Sequence, residues 1–109
     1  MQERKKYNGF ANYETWAVSL WMGNDRENYE RYRDLAGSVV TECAGDVQEF
    51  LSRKEAKALA LAEVLQDDFH EFSPVRREAS VYADLMNAAL EEVDWYELAE
   101  DLLHDIGEA

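Results

Sequence analysis

A chain of 109 residues, 47% apolar and 12% aromatic, has the composition of one folded domain, long enough to bury about two-thirds of the surface its unfolded form exposes. Its 24 acids against 11 bases, a net charge of −13, repel phosphate and so exclude direct binding of nucleic acid. No apolar run approaches the roughly 20 residues of a membrane span, the basic start from Met1 to Lys6 lacks the apolar segment of a signal peptide, and the lone Cys43 fits a reducing compartment, so a cytoplasmic protein with no membrane partner is expected.

Pro74 is the single proline, and helical spacing recurs where strand alternation does not persist. Asn12 is a capping residue, Glu14 suits the positive end of a helix, and Trp16, Ala17, Leu20 and Trp21 follow at helical spacing until Gly23 and Asn24 end the segment. Asn24 or Asp25 caps a second helix whose stripe is Tyr29, Tyr32, Ala36, Val39, Val40 and Cys43, weakened at Gly37 and stopped by Gly45. Asp46 with Glu49, and Ser52 with Glu55, both have capping-box spacing. Either a short turn precedes a helix near 53–70 or one bent helix covers both. On that helix Ala58, Leu61, Leu65 and Phe69 share a face, with Leu59 and Ala62 beside them.

Ser73 and Pro74 then suit the cap and first position of a helix burying Val75, Ala79, Tyr82, Leu85, Met86, Ala89 and Val93. The last helix opens at Asp94 with Glu97 three residues on, and carries Trp95, Leu98, Ala99, Leu102, Leu103 and Ile106 inward before Gly107. The pattern predicts an all-α fold: one compact domain over residues 1–109, a bundle of about five helices, with residues 1–8 flexible.

Charge is unevenly placed. Residues 1–24 hold three bases and two acids, whereas residues 25–109 hold eight bases and 22 acids, a net of −14. The 32 residues after Arg77 contain ten acids and no lysine or arginine. Like charges this dense oppose compaction, so salt and mild acid are expected to stabilise the fold. Asp94, Glu97, Asp101, Asp105 and Glu108 project within a helical sector about 80° wide. Together with Glu100 they give about one charge per 4 Å, close to the phosphate spacing of about 3.4 Å along one DNA strand. Asp84, Glu91 and Glu92 of the preceding helix extend this candidate partner-binding face, whose alternative is a merely solubilising surface.

Other chemistry is not supported. The carboxylates are too many for any pair to stand out as a catalytic dyad, and His70 and His104 are far apart without zinc spacing. Cys43 has no neighbouring histidine, no glycine-rich phosphate loop exists, and the segment from Asp25 lacks the glycine and final acid of a calcium loop. No enzyme, metal or cofactor is expected. Trp16 and Trp21 lie about 140° apart around their helix, so the helix is covered on two sides or one indole is an exposed anchor.

The segment from Asn12 to Asp25, with its Asn-x-Glu-Thr-Trp, Leu-Trp and Asn-Asp landmarks, and residues 83–103 resemble a family of small, uncharacterised acidic proteins of phages, plasmids and conjugative elements, some encoded beside antirestriction genes. The matching positions are Asn12, Glu14, Thr15, Trp16, Leu20, Trp21, Asn24, Asp25, Asn87, Trp95 and Tyr96. The resemblance implies a mobile-element protein in a bacterial cytoplasm. By analogy with acidic inhibitors from that setting, the leading expectation is a non-enzymatic protein whose acidic face imitates DNA. It would occupy the basic groove of a host nucleic-acid-binding defence protein of restriction or CRISPR type. The alternative is a small adaptor that anchors a protein partner through Trp16 or Trp21, its acid serving solubility alone.

Overall fold

The computed structural model describes residues 7–42, 53–75 and 77–107. Within these residues the chain forms five α-helices and no strand: α1 (Tyr13–Gly23), α2 (Arg26–Glu42), α3 (Arg53–Glu71), α4 (Val81–Glu92) and α5 (Trp95–Asp105). This is the all-α bundle that the sequence pattern predicts. Residues 1–6, Cys43, Gly45, both residues of the Asp46–Glu49 box, Ser52 and Glu108 lie outside the described residues. Tyr7 and Asn8, the end of the stretch expected to be flexible, belong to a tight turn in which Tyr7 and Phe10 exchange backbone hydrogen bonds of 2.9 and 2.8 Å. Asn8 and Gly9 sit at positive φ there, at 49° and 90°.

Local chemistry sets the helix starts. The Asn12 backbone is extended and its Oδ1 accepts the Thr15 N–H at 2.8 Å, which satisfies one orphan donor of α1. Of the two candidates for α2, Asp25 is the cap, accepting the Glu27 N–H at 3.1 Å, while Asn24 closes α1. Asp94 accepts the Glu97 N–H at 3.0 Å as its spacing predicts.

The centre of the bundle is the α3–α5 pair, the most extensive helix contact, with α2 lying against both. Leu61 and Leu65 meet Leu98 and Leu103 there, all four essentially solvent-free, and each is worth about 2 kcal/mol of apolar burial. Ala36, Ala58 and Ala99 sit in the same cluster, where their small side chains let the axes approach. Trp95 joins it from the first turn of α5.

Two expectations for the fourth helix are corrected. Ser73 does not launch it: its hydroxyl accepts from the Val75 N–H at 3.3 Å within a turn, and Ser80 caps α4 instead, accepting the Ala83 N–H at 3.1 Å. The buried face is also rotated by one residue, about 100°, from the stripe expected. Ala83 and Leu90 are buried, whereas Tyr82, Leu85 and Met86 are exposed. The cause is geometric. Among the described helices α4 packs against α1, so only a narrow line of its surface is covered.

Candidate partner-binding groove

The N-terminal motif has mostly structural work. Thr15 is fully buried. Its hydroxyl donates to Asn12 Oδ1 at 2.6 Å and accepts the Asp94 N–H at 2.9 Å, while Asn12 Nδ2 donates to the Glu92 carbonyl at 2.7 Å. The start of α1 is thereby tied to the α4–α5 junction. Because Thr15 takes the Asp94 N–H, Glu97 is released from the role a capping box would give it, and its Oε1 accepts the Ala11 N–H at 3.0 Å.

These bonds revise the acidic stripe. Asp94 is a helix cap, Glu97 is half-buried against the backbone of Ala11, and Asp105 accepts from Arg33 at 2.9 Å and from the Tyr29 hydroxyl at 3.2 Å. Three of its members are therefore committed within the fold, which the sequence did not predict. Glu100 and Asp101 on α5, and Asp84, Glu91 and Glu92 on α4, remain exposed, with no ion pair among the described residues. Glu91 and Glu92 stand in the last turn of α4, where the helix dipole disfavours negative charge.

The tryptophans divide three ways. Trp95 is core, and Trp16 is half-buried in an aromatic cluster with the Tyr7 and Tyr13 rings, 5.3 and 5.6 Å between centroids. Trp21 leaves 62% of its surface to solvent. It faces an open-sided groove of about 760 Å³, walled by Ala17, Val18 and Trp21 of α1 and by Met86 and Leu90 of α4. Phe69 and Phe72 from the end of α3 and the turn after it complete the groove with Tyr32. The lining is mainly apolar, and Phe72, 71% exposed, presents a second bare ring. An exposed tryptophan and an exposed phenylalanine lining one apolar groove are unusual for a surface this charged.

The floor is rigid. The Tyr32 and Phe69 rings stack at 5.9 Å, and Phe69 packs on Trp95 at 5.5 Å, which joins the groove to the core. One polar assembly stands at its side. Arg31 makes a two-pronged contact with Asp68, 2.6 and 3.3 Å, and its guanidinium lies over the Tyr32 ring at 5.0 Å and the Phe72 ring at 5.8 Å. The Tyr32 hydroxyl donates to the same carboxylate at 3.2 Å. Hydrogen bonding to Asp68 raises the Arg31 pKa, and burial, helped by the Asp68 charge, raises that of Tyr32. The groove therefore holds a fixed, charge-balanced pair and apolar walls. It contains no nucleophile paired with a base, and no metal-holding group of three or more His, Cys, Asp or Glu side chains occurs among the described residues.

Sequence reading offered Trp21 only as an alternative to Trp16, and did not find Phe72, Arg31 or the exposure of Met86. Phe72 carried a signal, as an aromatic just before Pro74 and outside every helical stripe. Arg31 carried none, since its partner lies 37 residues away.

Fold and groove together define a small all-α domain with an exposed aromatic surface. The chain belongs to DUF7249, a family of unknown function whose model matches residues 3–101. No curated protein and no solved structure matches it.

Proposed function

We propose that this protein is a non-enzymatic binding module that docks a partner protein in the apolar groove, with Trp21 as its anchor. The observation that carries this reading is the exposure of Trp21 and Phe72 over a floor of Tyr32 and Phe69 rings stacked into the core: a floor already packed loses little entropy when covered. The reading needs no cofactor or metal.

A second reading is inhibition of a host nucleic-acid-binding defence protein, of restriction or CRISPR type, by an acidic face that imitates DNA. It is favoured by the exposed, unpaired row Asp84, Glu91, Glu92, Glu100 and Asp101. It ranks behind the groove because Asp94, Glu97 and Asp105, the centre of the stripe, serve the fold. Both readings take the protein to act in a bacterial cytoplasm on behalf of a phage, plasmid or conjugative element, as the sequence resemblance implies.

Photocrosslinking separates them. A photoreactive phenylalanine analogue is placed at Trp21, or at Asp101, and the protein is irradiated in its bacterial host. A discrete protein adduct from position 21, absent from position 101, supports docking through the groove. Adducts at position 101 alone, with a DNA-binding or RNA-binding protein, would replace it with the acidic-face reading.

A further inference from the structure

We propose that Asn8 is a self-modifying position: when the turn it shares with Gly9 opens, the Gly9 nitrogen displaces the Asn8 amide, and one product releases Tyr7 from the start of α1. The proposal is independent of the docking reading. Asn8 is the one asparagine that glycine follows, and a residue without Cβ leaves its own nitrogen unhindered as a nucleophile. The other asparagines precede residues with side chains, and the fold holds two of them further. The Asn12 amide is committed to Thr15 and to the Glu92 carbonyl, and the Tyr29 N–H that would attack Asn28 donates to the Asp25 carbonyl at 2.9 Å. Asn8 and Gly9 are exposed, and neither the Asn8 amide nor the Gly9 N–H makes a hydrogen bond among the described residues.

The reaction needs water alone. The Gly9 nitrogen, its proton taken by solvent, bonds to Asn8 Cγ; the Cγ–Nδ2 bond breaks and ammonia leaves with a proton from water. Water then opens the five-membered imide. Attack at Cγ breaks its bond to the Gly9 nitrogen and gives aspartate, whereas attack at the Asn8 backbone carbonyl carbon gives isoaspartate.

The closed turn blocks the first step. Positive φ at both central residues, with both Tyr7–Phe10 bonds, makes it type I′, whose first central residue has ψ of about +30°. At that angle the Gly9 nitrogen points away from Cβ across the Cα–C bond and cannot reach Cγ. Few contacts keep the turn closed: the two backbone bonds, and the Tyr7 ring against Tyr13 and Trp16, each 5.3 Å between centroids. Local opening therefore sets the rate. Aspartate keeps the backbone and tolerates positive φ, so it rebuilds the turn. Isoaspartate routes the chain through Cβ and Cγ, which adds an atom between Tyr7 and Phe10, breaks their pairing and frees the Tyr7 ring from Trp16.

The test incubates the purified chain in neutral buffer, natively and in urea, and follows each asparagine by mass spectrometry with peptide mapping that separates aspartate from isoaspartate. Conversion at Asn8 is expected to outpace that at every other asparagine, and to run at least about tenfold slower in the native chain than in urea. Tyr7→Ala, which removes both ring contacts, should speed native conversion about threefold or more, and Tyr13→Ala should act in the same direction. By NMR the Tyr7–Trp16 contact should persist in Asn8→Asp and vanish in the purified isoaspartate form. Native conversion as fast as in urea, or absent while the chain in urea converts fully, would overturn the proposal. So would a native rate that neither Tyr7→Ala nor Tyr13→Ala changes, faster conversion at another asparagine, or an isoaspartate form that keeps Tyr7 on Trp16.

Discussion

Thr15 shows how one side chain can fix the arrangement of three helices. Its hydroxyl is both donor and acceptor in a fully buried site. Thr15→Val keeps the shape but leaves the Asp94 N–H without its acceptor, so it is expected to cost about 1–3 kcal/mol in chemical denaturation, against much less for Thr15→Ser. Tyr32 gives a second residue-scale expectation. Its folded-state pKa is raised above the ordinary 10.0, first by burial, and that of Tyr96 is raised by burial and by the nearby Glu100 and Glu55. A folded protein that holds its phenol protons longer than the unfolded chain loses stability as pH rises. The contribution is complete below about pH 10 and disappears as pH climbs through the folded values. Alkaline melts should show this slope, and Tyr32→Phe should flatten it. The caps Asn12 and Asp94, and Asp25 as one of two candidates, were legible in the sequence because capping is a local contact, three residues or fewer in reach. The Thr15–Asp94 bond was not, because it spans 79 residues.

At the scale of elements, sequence pattern served where a helix is covered broadly and failed where it is covered narrowly. The faces of α3 and α5 were read correctly at Leu61, Leu65, Leu98, Ala99 and Leu103 because each helix packs on the other along its length. On α4 the largest apolar residues were assigned to the core, yet α4 packs on α1, buries Ala83 and Leu90, and leaves Tyr82 and Leu85 to solvent. Hydrophobicity names the residues that gain from burial, but the neighbouring helix decides which face receives it. In α2, Gly37 has a helical backbone, and a Cβ built there meets nothing within 4 Å. Gly37→Ala is therefore expected to stabilise by about 0.5–1 kcal/mol, through the lower entropy of the unfolded chain, and to raise the melting temperature by a few degrees without altering the groove. A melting temperature that falls would mean the site is less open than its geometry shows.

For the whole molecule, charge and apolar surface act together. With −13 on 109 residues, self-repulsion is expected to outweigh the pairs Arg26–Glu30, Arg31–Asp68 and Arg33–Asp105. Raising ionic strength to about 0.5 M is thus expected to increase the melting temperature, and a decrease would show that those pairs dominate. The candidate site was legible in the sequence only as a choice between two tryptophans. Its walls come from α1, α2, α3, α4 and the turn after α3, and no local pattern can say that such distant residues converge.

The central claim, that Trp21 anchors a partner protein, is tested most directly on the purified pair once crosslinking has supplied the partner. Dissociation constants are measured for the native protein, for Trp21→Ala, and for a variant with Asp84, Glu91, Glu92, Glu100 and Asp101 changed to their amides, alongside a thermal melt of each. The predicted result is a loss of about 30-fold or more for Trp21→Ala with stability within about 0.5 kcal/mol of native. The amide variant should lose less affinity, chiefly through a slower, less salt-sensitive association rate. Full binding by folded Trp21→Ala, with binding abolished in the amide variant, would contradict the account.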